Sequence, residues 1–137
     1  MSTEKLNGAR SRAKEYVHDN MKRAYANAQA PSAIEIDGWV YLTGVIAAPQ
    51  EGESDLEPAF IRAFEQLTEV LKMAGCSWDD VIKITSFHKD AGAQLEVVSK
   101  IKKQFVKHAP YPAWTIVGTN SLANPAGVCE IEVIAKK

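Results

Sequence analysis

The chain has little of several things that would narrow its chemistry. Two cysteines in 137 residues, Cys76 and Cys129, are too few for a disulfide framework, and neither has a Cys or His partner at metal-ligand spacing. Both read as small buried hydrophobes. The three histidines, His18, His88 and His108, stand far apart in the sequence, so no metal site is expected. No run approaches the roughly 18 uncharged apolar residues of a membrane span, and the start, Met1-Ser2-Thr3-Glu4-Lys5, lacks the apolar core of a secretory signal. A soluble, cytoplasmic protein with no membrane partner is therefore expected. Excess charge is missing too: 16 Lys+Arg oppose 17 Asp+Glu, for a net charge of -1. Nucleic acid is disfavoured as a partner, because phosphate binding draws on clustered positive charge. Gly118-Thr119-Asn120-Ser121 lacks the Lys and the strand-to-helix setting of a phosphate loop. No Ser or Cys has an adjacent base legible from spacing, and no cofactor is called for.

What is present describes one α+β domain. With 46% hydrophobic residues, a chain this size buries roughly two thirds of its unfolded surface and needs no covalent staple. Residues 1–30 are polar and read as an N-terminal arm, loose or holding a short helix. Residues 31–137 carry the fold. Ile34-Glu35-Ile36 and Trp39-Val40-Tyr41-Leu42-Thr43-Gly44 are β-rich runs joined at Asp37-Gly38, which predicts a hairpin with a primed turn. Ser54 and Glu57 fit a capping box. The following Leu56, Ala59, Phe60, Ala63, Leu67, Val70, Leu71 and Ala74 make one helical stripe that Gly75 ends.

Val81–Phe87 reads as a strand. A second helix is expected from Ala91 to Lys107, with Leu95, Val98, Ile101 and Phe105 inward, and Pro110 and Pro112 end it. Trp114–Gly118 and Val128–Ala135 complete a ββαβαββ order, a single mixed sheet with two helices on one face.

Two such helices leave the other face of the sheet open. Alternation along the last strand puts Cys129, Ile131, Val133 and Ala135 on one side and Val128, Glu130, Glu132 and Ile134 on the other. Residues two apart on a strand lie roughly 6 to 7 Å from each other, so the two carboxylates are within cooperating range, where one raises the pKa of the other if both are dry. An open face showing Val128, Ile134, Trp39 and Tyr41 predicts an oligomer with sites between subunits. The plainer reading makes the glutamates gatekeeper charges on a solvated edge strand.

Four segments in order, Tyr41-Leu42-Thr43-Gly44, Met73-Ala74-Gly75-Cys76 before Asp80-Val81-Ile82-Lys83, Tyr111-Pro112-Ala113, and Val128-Cys129-Glu130-Ile131-Glu132-Val133-Ile134-Ala135, resemble the RidA/YjgF family, also labelled the endoribonuclease L-PSP or translation-inhibitor family. The likeness spans nearly all of residues 30–137. It implies a chorismate-mutase-like fold and a homotrimer whose sheets join into a central barrel, with small-molecule clefts between subunits. Family members with deaminase activity hydrolyse reactive imines or enamines to a ketone and ammonia. By resemblance Glu130 is the catalytic residue that holds or activates water, while Thr43 and Gly44 line the cleft. Where those members carry an Arg that clamps a carboxylate, this chain has Trp114. An aromatic before the hairpin falls on Ala30 and a helix Asn on Val98, so the cleft wall is altered.

Losing a charged hydrogen-bond pair worth about 1.5–3 kcal/mol costs at least about tenfold in holding a carboxylate. Trp114 offers instead a flat apolar surface and one N–H donor, and with Glu132 it completes the expected binding set. Three readings follow. The first is a hydrolytic imine or enamine deaminase with changed substrate preference. The second is a non-catalytic trimer that binds a small molecule or regulates a partner. The third and weakest is an endoribonuclease, since the Lys100, Lys103, Lys107 row that would support it reads as a solvated helix face.

Overall fold

The computed structural model describes residues 5–137. In chain order its elements are β1 (Lys14–Tyr16), α1 (Lys22–Ala28), β2 (Ala33–Ile36), β3 (Trp39–Leu42), β4 (Val45–Ala47), α2 (Glu57–Met73), β5 (Val81–His88), α3 (Ala91–Phe105), β6 (Ala113–Gly118) and β7 (Cys129–Lys136). The strands make one mixed sheet in the order β1-β2-β3-β7-β5-β6, with β4 also paired to β7. Only β5 and β6 run parallel.

The predicted ββαβαββ order is present, with additions. Asp37 and Gly38 take φ of 53° and 82°, the backbone of a primed turn that matches strand twist, and β2 and β3 pair through Ile34↔Tyr41 and Ile36↔Trp39. The polar start of the chain is not wholly free: β1 adds to the sheet edge against β2, and His18 and Asn20 reach Glu69 and Gln66 of α2 at 3.0 and 3.1 Å. β4 is a further strand of three residues whose partner lies more than eighty residues away.

α2 buries Ala59, Phe60, Ala63, Phe64, Leu67, Val70 and Leu71, and Gly75 ends it at φ 78°, a backbone that glycine adopts without strain. Its expected capping box does not form. Ser54 precedes the helix start, and Asp55 instead accepts from the Glu57 amide at 3.0 Å. In α3 the inward stripe is also corrected. Leu95 is 46% exposed, while Gln94 is 4% exposed. A polar residue takes the inner position because it has a buried partner, His88, described below.

Both long helices lie over one face of the sheet, where Ile84, Cys129, Ile131, Val133 and Ala135 are buried. Phe64 joins the helices to each other, with Phe105 at 5.3 Å and Trp78 at 5.5 Å between ring centroids. Cys76 and Cys129 are both free and buried, as the sequence predicts.

Candidate functional site

The two halves of β7 pair with different strands. Its C-terminal half takes β3, ending at Tyr41↔Ile134, and its N-terminal half takes β4, beginning at Val45↔Ile131. Leu42, Thr43 and Gly44 thus oppose only Glu132 and Val133, a bulge of one residue. The bulge is anchored to the residues just before β2: the Thr43 amide donates to the Ser32 carbonyl at 2.9 Å, and its hydroxyl to the Pro31 carbonyl at 2.6 Å. At Gly44 a Cβ would fall 2.8 Å from both Cγ and Cδ of Glu130. The Glu130 side chain therefore occupies the space that the missing Gly44 side chain leaves.

Across the ladder Glu130 stands between Ile46 of β4 and Phe87 of β5, which removes much of its water. Burial chiefly, and then the charge of Glu132, raise its pKa above the ordinary carboxyl value of 4.5. Glu132, opposite Thr85, is exposed. No hydrogen bond or ion pair engages the Glu130 carboxylate among the described residues. A half-buried, unpartnered carboxylate of raised basicity can take a proton from water or give one back. β7 is an interior strand, paired on both sides, so the edge-strand reading of the two glutamates does not hold.

Trp114 is elsewhere. It pairs with Ile84, and Ile84 with Val133, which places the indole on the helix-covered face, opposite to Glu130, Glu132 and the Thr43–Gly44 bulge. Within one chain these residues do not meet. The indole N–H donates to Ser86 Oγ at 2.9 Å, the Ser86 hydroxyl meets His88 Nε2 at 2.8 Å, and His88 Nδ1 meets Gln94 Oε1 at 2.8 Å. Tryptophan can only donate. An amide oxygen only accepts, so His88 Nδ1 donates to Gln94, and the chain links Trp114, Ser86, His88 and Gln94 in that order.

Sequence reasoning found none of Ser86, His88 and Gln94 as a group. The signal was alternation along β5, which sends Ser86 and His88 inward together. Lys102 of α3 was missed as well: its ammonium lies 4.9 Å from the Trp114 ring centroid. Among the N-terminal arginines, Arg12 is held by Asp37 at 2.9 Å. Arg10 lines a cavity with Glu15, Tyr25 and Gln29.

Burial holds the His88 pKa below the ordinary histidine value of 6.5, against a smaller upward effect of the Gln94 bond. Between the folded and unfolded values the unfolded chain binds more protons. Stability from this group is thus complete above the unfolded value and lost as the pH falls from there through the lower folded value. We expect the thermal midpoint to fall more steeply for the native chain than for His88→Gln between about pH 7.5 and about pH 5.5. Parallel curves for the two would show that His88 is not the titrating group.

Neither long helix, α2 nor α3, covers the face carrying Glu130. Cross-strand pairing gathers Ile34, Ile36, Trp39, Tyr41, Ile46, Phe87, Val117 and Ile134 on it, and Trp39 and Tyr41 are 38% and 43% exposed. Among the described residues no helix is long and apolar enough to cross a membrane.

The chain is similar to known proteins in sequence and in fold. A family model described as "Endoribonuclease L-PSP" matches residues 21–137. The RutC family protein YjgH of Escherichia coli is 35% identical over 114 residues, covering 82% of this chain and 86% of that one. A human protein named 2-iminobutanoate/2-iminopropanoate deaminase is 28% identical over 126 residues, covering 84% and 90%. The solved structure of protein YJGH superposes with a TM-score of 0.74 at 32% identity, over 89% of this chain and 93% of that one.

Proposed function

The chain belongs to the endoribonuclease L-PSP family, the RidA/YjgF group, and from that premise we propose that it works as a homotrimer whose inter-subunit clefts bind a small metabolite and hydrolyse a reactive imine or enamine. The observation that carries the reading is the Glu130 carboxylate, half-buried, unpartnered and seated over Gly44. Glu130 removes a proton from water as the oxygen attacks the imine carbon. It returns that proton to nitrogen, giving the carbinolamine, and then carries the hydroxyl proton to the same nitrogen as the C–N bond breaks and the C=O bond forms, releasing a ketone and ammonia. Because Trp114 and Glu130 face opposite ways within one chain, a cleft that holds both has to be built from two chains. The apolar side chains gathered on the open face support assembly too, since a second copy that covers them takes them out of water.

The test is ammonia release from a panel of freshly generated imines. Glu130→Gln is expected to lower the rate at least about a hundredfold, the lower range for a positioned acid–base group. The acid limb of the rate profile should lie above the ordinary carboxyl value of 4.5 and move down in Glu132→Gln, because removing that charge lowers the Glu130 pKa. Equal rates for native chain and Glu130→Gln would overturn the catalytic reading. Saturable metabolite binding without ammonia would establish the second reading, a binding trimer. That reading is favoured by Trp114 standing where deaminating relatives carry a cation.

A further inference from the structure

Trp114 spends its one donor inside the fold, on Ser86, so its outward contribution is a flat π surface with no hydrogen bond to give. Beside it Lys102 is half-buried, its pKa lowered by burial and by Lys103. A cation withdrawn from water usually has an anionic partner. Among the described residues no ion pair reaches Lys102, Lys103 or Lys107, whereas Lys100 on the same helix meets Glu57 at 2.9 Å.

Those three lysines, with Val106 and Tyr111, line a cavity of about 510 Å³, a size usual for small-molecule sites. Tyr111 is 65% exposed there. The carbonyl end of α3 favours cations and accounts for the exposed Lys103 and Lys107. It does not account for a third ammonium drawn onto an indole. The ring face offsets part of that desolvation and leaves the ammonium protons free for an anion.

We infer that this cavity binds a flat organic anion, an aromatic or conjugated carboxylate. Its ring packs against Tyr111 and Val106, and its carboxylate meets Lys102, held over the Trp114 indole, with Lys103 and Lys107 at the rim. This deepens the cleft reading by naming what the α3 side recognises, and it rests on that reading only for the opposite wall.

The experiment titrates the full chain with 2-naphthoate, acetate and inorganic phosphate by calorimetry at about 0.15 M salt, where exposed charges are largely screened. Naphthoate should bind saturably, and acetate and phosphate at least about tenfold more weakly. Lys102→Gln should weaken naphthoate at least about tenfold, Lys102→Arg should keep most of the binding, and Lys72→Gln on α2 should change nothing. Thermal midpoints report whether each variant folds, and sedimentation reports its mass. Phosphate binding as well as naphthoate would mean a general cationic patch and overturn the inference, as would naphthoate affinity unchanged in Lys102→Gln. A trimer that binds no naphthoate overturns this inference and leaves the assembly reading standing. A monomer that binds it through Lys102 does the reverse.

Discussion

Gly44→Ala is expected to fold and to lose about a hundredfold in imine hydrolysis, the cost of displacing a catalytic group by roughly 1 Å. The added methyl would sit 2.8 Å from Cγ and Cδ of Glu130, far inside normal contact. The glutamate has to yield, and Ile46 and Phe87 flank it on the neighbouring strands. Its free direction is therefore away from the sheet, toward water. Rehydration removes the main cause of its raised pKa, so the carboxylate becomes both misplaced and less basic. The rate profile against pH and the thermal midpoint together separate this from misfolding. A folded variant that keeps its rate would show that the seat over Gly44 does not matter to the reaction.

Phe64→Ala should have the largest effect on stability, about 3–5 kcal/mol. Phe64 is 1% exposed and is the ring that α2 sends between Trp78 and the Phe105 of α3. Truncation leaves a void at the one place where the two helices share an aromatic cluster, and the sheet behind prevents either helix from closing it. Since domains are stable by only about 5–15 kcal/mol, a third or more of the total is at stake. Urea unfolding at fixed protein concentration should show a lower midpoint with an unchanged slope. A loss below about 1 kcal/mol would mean that the helices do reclose.

Much of the frame was legible because it repeats. The α2 stripe from Ala59 to Ala74 recurs at helical spacing, the Asp37-Gly38 turn needs positive φ, and β7 alternates cleanly between buried and open positions. β1 and β4 were not legible. Each has three residues, too few for a period, and each is a strand only because a neighbour offers it hydrogen bonds. Gln94 displaced Leu95 from the α3 interior for a similar reason: one buried partner outweighs a leucine's transfer free energy when His88 would otherwise be left without an acceptor.

For the site the division is sharper. Alternation alone placed Glu130 and Glu132 together on the face the helices leave open, and the family pattern singled out Thr43, Gly44 and Trp114. Which side of the sheet Trp114 occupies depends on its pairing with Ile84, a register between distant segments that no local pattern encodes. The same holds for the Gly44–Glu130 contact, the Trp114–Ser86–His88–Gln94 chain and the approach of Lys102 to the indole. Periodicity in a sequence determines which residues share a face, because backbone geometry is local. What covers each face, and which groups meet across it, is decided only when strands and helices far apart in the chain pack and choose their register.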